Sequence, residues 1–142
     1  MAGKTVVLFQ EQGLGDTLQF IRFAPALVAR GARVTVAVGS ALVRLISQSY
    51  PDLIVRDAVQ FGLDERYDYA LPIPNLPYVT RMQSTADIPD TMPYLRADPQ
   101  DVARFAALLP AAGPRSGLVW SGDRRTSAQD VMANQLRSST LP

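Results

Sequence analysis

The chain contains no cysteine and no histidine. Without cysteine there is no disulfide framework, no thiolate nucleophile and no thiolate metal ligand. The lack of histidine removes more chemistry. Imidazole bases, histidine-ligated metals and serine–histidine triads are all excluded within these 142 residues. Long apolar runs are missing too: no stretch approaches the roughly 18 continuous residues of a membrane-spanning helix. A secretory signal is not expected either, since Lys4 is followed by a short apolar run and then Gln10-Glu11-Gln12. The expected location is cytoplasmic. Charge of either sign is balanced to a net +1, and basic residues are scattered apart from Arg124-Arg125, so no nucleic-acid partner is expected. Internal repeats and low-complexity tracts are absent.

What is present is an apolar fraction of 47%, enough to build one buried core. Four runs, at 5–10, 33–38, 53–56 and 67–72, are β-branched or apolar and nearly continuous, as expected of strands covered on both faces. Between the first two, Leu14, Leu18, Ile21, Pro25 and Val28 form one apolar stripe at helical spacing, ended by Gly31. Pro25 lacks the N–H that would bond to Ile21 and should bend that helix. Ser40 is placed to cap a second helix over 41–49, with Leu42, Leu45 and Ile46 inward. This alternation predicts a Rossmann-like open parallel sheet with helices on both faces, a three-layer α/β/α arrangement. Residues 73–92, rich in proline, read as an irregular connection. Asp98-Pro99 starts a helix expected to reach about residue 109.

Residues 116–120 (SGLVW) are a fifth apolar run. The sequence then turns polar, and Ser127 with Asp130 opens a weak amphipathic helix whose apolar side is Val131, Met132 and Leu136. A strand followed only by such a tail reads as the start of a second, truncated half. The expected division is a Rossmann-like domain at 1–115 and the opening of its partner at 116–142.

Directly after the first strand comes EQGLGDTLQF, Glu11 to Phe20. Its two glycines suggest a phosphate-binding turn, but the dinucleotide fingerprint fails. The third small position is occupied by Leu18, and the second strand ends Val38-Gly39-Ser40 without a ribose-binding acid. No Lys-Ser/Thr pair follows the glycines either, which excludes a Walker-type loop. Asp16 is then open to two compatible readings. It is a helix N-terminal residue accepting backbone N–H bonds, or a carboxylate displayed at the carboxyl end of a strand, where open α/β sheets bind ligands and where it can take a proton from an attacking hydroxyl.

The segment EQGLGDTLQFIRFAPAL resembles the N-terminal signature of heptosyltransferase-like glycosyltransferases, in particular the glycosyltransferase region attached to tetratricopeptide repeats in many bacterial proteins. The matching residues are Gly15-Asp16 and Pro25-Ala26-Leu27, then Asp68-Tyr69, Leu71-Pro72, Leu76-Pro77, Ile88-Pro89, Pro93-Tyr94-Leu95 and Gly117-Leu118-Val119-Trp120. The likeness covers residues 4–123. It implies one half of a two-domain, inverting GT-B enzyme without a metal or other cofactor, the acceptor lying mainly on this half and the nucleotide-sugar on the other. It also implies that Asp16 is the catalytic base. The chain departs from that family after Trp120, where Ser121-Gly122-Asp123 replaces the usual Asn-Pro loop, and a donor-binding half is lacking.

Around the turn, Glu11, Gln12, Gly13 and Gly15 are the candidate acceptor contacts. Asn75, following the fourth strand, should reach the same edge, although asparagine is also a common turn former. Gln19 and Arg22 read as a solvated helix face, Trp120 as a packing residue and Arg124-Arg125 as a solvated loop. The competing class is a non-catalytic Rossmann-like binding module serving a repeat protein.

Overall fold

The structure is a computed structural model and describes residues 1–11, 13–62, 66–110 and 112–118. It divides into two units, Met1–Arg104 and Phe105–Pro142. In the first unit, strands β1 (Thr5–Phe9), β2 (Arg33–Val38), β3 (Ile54–Asp57) and β4 (Tyr69–Pro72) make one open sheet in the order β3-β2-β1-β4. Every pairing is parallel, from Thr5 opposite Arg33 to Phe9 opposite Pro72. Helices α1 (Leu14–Phe20), α2 (Pro25–Ala29), α3 (Ser40–Ser49), α4 (Leu76–Val79) and α5 (Pro99–Ala106) surround the sheet or follow it in sequence. This is an α/β fold of the Rossmann-like kind.

The two central strands are buried along nearly their whole length, which is why their sequences run apolar without alternation. Val6, Leu8, Val34, Val36 and Val38 share one sheet face, on which Ile21, Leu27, Ile46, Ile73 and Leu76 pack as the core. Each such fully buried side chain contributes about 1.5–3 kcal/mol through burial. The edge strand β4 is held at its start by Asp68, which accepts from Thr5 N at 2.7 Å, Thr5 Oγ1 at 2.9 Å and Lys4 Nζ at 2.9 Å. These bonds, with the Thr5 amide first, hold the Asp68 carboxyl down at about 2.

The break at Pro25 forms, and it changes the register of the helix. A 3₁₀ turn, Ile21–Phe23, separates α1 from α2, and Pro25 becomes the first residue of α2, where its missing N–H has no intrahelical partner to lose. Three residues per turn instead of 3.6 rotates the following side chains. Phe23, Ala24 and Leu27 are therefore buried, while Leu14 and Pro25 of the expected stripe are exposed. Gly31 ends α2 as expected, at φ +82°. Its N–H donates to Val28 O at 2.8 Å, and that of Ala32 to Leu27 O at 3.1 Å, the paired bonds of a Schellman motif.

Other expectations are corrected. Ser40 is the first residue of α3 rather than its cap; Gly39 holds the cap position without a side chain to contribute. Residues 73–92 are not irregular throughout. Pro72 and Pro74 pre-set a 3₁₀ turn, Ile73–Asn75, and Pro77 opens the short α4, because fixed φ favours the first turn of a helix. Asp98 does start α5, accepting from Gln100 N at 2.8 Å, and also binds Arg44 and Gln48. That helix closes at Ala106, three residues early. Residues 116–118 carry no strand, and Val119, Trp120 and the expected C-terminal helix lie outside the described residues.

Candidate functional site

From β1 the chain steps to β2 and then β3 on one side, whereas β4 lies on the other side of β1. The strand order thus reverses between β1 and β4. Their carboxyl ends flank the crevice that open parallel sheets use for ligands, because crossovers leaving in opposite directions part there. Two segments follow these strand ends: residues 10–11 and 13–16 after β1, and the turn Ile73–Asn75 after β4, against which α1 packs.

Gln10 sets the floor of this edge. Its backbone N–H donates to Ala37 O at 3.0 Å, and its side-chain Oε1 accepts from Gly39 N at 2.9 Å. The ends of β1 and β2 are thereby tied to each other. In the sequence Gln10 reads only as the last strand residue; a polar side chain closing a buried apolar run is the signal of its role.

Gly13 is the N-cap of α1, with ordinary extended geometry at φ −62° and ψ 167°. Its carbonyl accepts from Thr17 N at 3.1 Å and Thr17 Oγ1 at 3.2 Å, and Thr17 is buried. Asp16, on the first turn, accepts from Gly13 N through Oδ2 at 3.1 Å, the acidic half of a capping box. Oδ1 has no hydrogen-bond partner among the described residues. Neither glycine adopts positive φ. A Cβ on Gly13 would meet Asp16 Oδ2 at 3.2 Å, whereas one on Gly15 would meet nothing within 4 Å.

Glu11, Gly13, Gly15 and Asn75 are exposed and Asp16 is half-buried, all at the carboxyl edge of β1 and β4. Gln12, Trp120, Arg124 and Arg125 lie outside the described residues. Arg22 is not a solvated helix residue. It is half-buried, its Nε donates to Gln19 O at 3.0 Å, and its guanidinium lies 3.9 Å from the centre of the Tyr94 ring. Among the described residues no three metal-ligating side chains cluster, and no helix is long and apolar enough to cross a membrane.

No family model matches the chain. It is 28% identical over 139 residues to Protein FlbA of Caulobacter vibrioides, an alignment covering 84% of this chain and 23% of that protein. The chain thus spans about a quarter of the length of this curated relative. Among solved structures it is similar to TibC, an iron-containing dodecameric glycosyltransferase from enterotoxigenic E. coli H10407. That likeness has a TM-score of 0.42 and 15% identity, and covers 49% of this chain and 18% of TibC.

Chemically, the edge offers one anchored carboxylate whose second oxygen is unengaged among the described residues, and the first-turn amides of α1. With neither imidazole nor thiol in the chain, the carboxylates of Asp16 and Glu11 are the side chains of residues 10–16 that can accept a proton.

Proposed function

We propose that this chain is the acceptor-side domain of an inverting, sugar-nucleotide-dependent glycosyltransferase, with Asp16 as general base. Nucleotide-sugar would be held by a second Rossmann-like half outside these 142 residues. The observation that supports this reading is the position of Asp16, at the strand-order reversal between β1 and β4, with Oδ2 anchored on Gly13 and Oδ1 left for a substrate. In the proposed step Oδ1 takes the proton of the acceptor hydroxyl as its oxygen bonds to the anomeric carbon. The bond from that carbon to the nucleoside diphosphate breaks on the opposite face, so configuration inverts. Glu11, Gln12, Gly13, Gly15 and Asn75 would border the acceptor.

A second reading, a non-catalytic module attached to a repeat protein, is favoured by the Gly13–Asp16 bond, since a cap alone explains that carboxylate. Asp16→Asn separates the two in a protein carrying both halves. Asparagine retains an oxygen for Gly13, so stability should fall by no more than about 1 kcal/mol. Loss of a base should lower kcat by about 10²–10⁴-fold. Turnover within a few-fold of wild type at saturating donor, beside a lowered melting temperature, would assign Asp16 to capping alone.

A further inference from the structure

A cavity of about 320 Å³ lies on the outer side of α2 and the end of α3, closed by residues 89–96. Ser49 and Tyr50 belong to the end of α3 that precedes β3, so this cavity opens at the amino edge of the sheet, opposite Asp16. Its polar lining is Arg22, Arg96, Tyr50, Tyr94, Ser49 and Thr91, and its apolar lining is mainly proline; no carboxylate borders it. An adjoining cavity of about 400 Å³ shares Ser49, Tyr50 and Arg96 and is bordered by Asp52.

Three features make this a built site. Arg96 N donates to Ser49 Oγ at 2.9 Å, and Ser49 Oγ donates to Leu45 O at 2.7 Å, which fixes the closing segment on α3. Arg22 is held by its bond to Gln19 O and by the Tyr94 ring, so one face of its guanidinium is already placed. The Tyr50 hydroxyl is buried with no hydrogen-bond partner among the described residues, and a buried hydroxyl left unpaired is costly, so it marks a place where a partner belongs.

We infer that this cavity binds a small organic oxyanion, its carboxylate or phosphate head between Arg22 and Arg96 with Tyr50 donating to it, and its body against the prolines. Burial raises the Tyr50 hydroxyl to about 12, with Tyr94 adding to the shift and Arg22 opposing it, so the hydroxyl remains a donor at neutral pH. Arginine suits such heads because its planar fork matches two oxygens at once. The site is independent of the role proposed for Asp16.

The test uses the 142-residue chain with isotope-labelled tyrosine rings, titrated separately with benzoate and inorganic phosphate. At least one probe should shift the Tyr50 and Tyr94 ring signals saturably, with a dissociation constant of ~10 mM or tighter. Saturation by benzoate alone identifies a carboxylate head, and by phosphate alone a phosphate head. Tyr50→Phe and Arg96→Met should each weaken binding by about tenfold, the loss of one charge-assisted hydrogen bond. Without ligand, Arg96→Met should melt like wild type and Tyr50→Phe at or above it, since the unpaired hydroxyl is gone, and Asp16→Asn should bind unchanged. If neither probe reaches half-saturation by ~10 mM, or if both variants bind as tightly as wild type, the cavity is not an oxyanion site.

Discussion

Gly13 and Gly15 stand two residues apart in opposite surroundings. Gly13 is tight, because any Cβ would press on the Asp16 oxygen it anchors. Gly15 lies inside the first turn of α1 with open space where a side chain would go. Glycine within a helix costs about 0.5–1 kcal/mol relative to alanine, and neither backbone nor packing requires it there. Gly15→Ala should therefore stabilise the domain by up to about 1 kcal/mol in urea denaturation. If the acceptor passes over this turn, the same methyl group should lower turnover in a protein carrying both halves. Greater stability with unchanged turnover would place the acceptor elsewhere.

At the scale of elements, β4 is a short edge strand, four residues long and exposed over its first two residues. Asp68 compensates by bonding the first residue of β1 and the Lys4 ammonium. Its folded-state value, about 2, lies below the ordinary carboxylate value of 3.8. The contribution of Asp68 is thus complete above that ordinary range and is lost as pH falls through about 2. Asp68→Asn should melt at a lower temperature than wild type near neutral pH. The gap should close as pH falls from about 4 towards 2, where wild-type Asp68 is protonated as well. Asp98, also held at about 2 by Arg44 first and then by its bonds to Gln100 and Gln48, titrates in both proteins alike and does not mask the comparison. A gap that persists undiminished at the acid end would show that charge on Asp68 is not what holds β4.

For the whole molecule, the decisive arrangement is the strand order, with β4 returning to the far side of β1. It opens a crevice at the carboxyl edge of β1 and β4, and the dinucleotide fingerprint is missing there. Leu18 occupies the third small position, α1 ends after seven residues, and β2 ends in Gly39 and Ser40 rather than an acid. Titration with NAD or NADP should leave the amide signals of Gly13, Gly15, Asp16 and Thr17 unmoved at millimolar ligand. Reading those amides avoids confusion with any anion held at Arg22 and Arg96. Saturable shifts at micromolar NAD would overturn the acceptor-side reading.

The strands were legible because local physics decides them. Continuous β-branched runs such as Val6-Val7-Leu8 and residues 34–38 suit strands covered on both faces, and Gly31 at positive φ stops α2 whatever surrounds it. Asp16 stood out for a similar reason, since a carboxylate three residues beyond a helix cap is a local pattern. What required the tertiary structure is everything that depends on elements meeting. Pro25 marks the break in the first helix from the sequence alone, but that Phe23, Ala24 and Leu27 are the residues buried beyond it emerges only with the core they join. Gln10 gains its role only when β2 brings Gly39 beside it. Arg22, on a helix face that reads as solvated, becomes half-buried because a proline-rich segment some 70 residues later lays Tyr94 across it. Periodicity describes an element in isolation; burial and partnership are properties of pairs of elements distant in sequence.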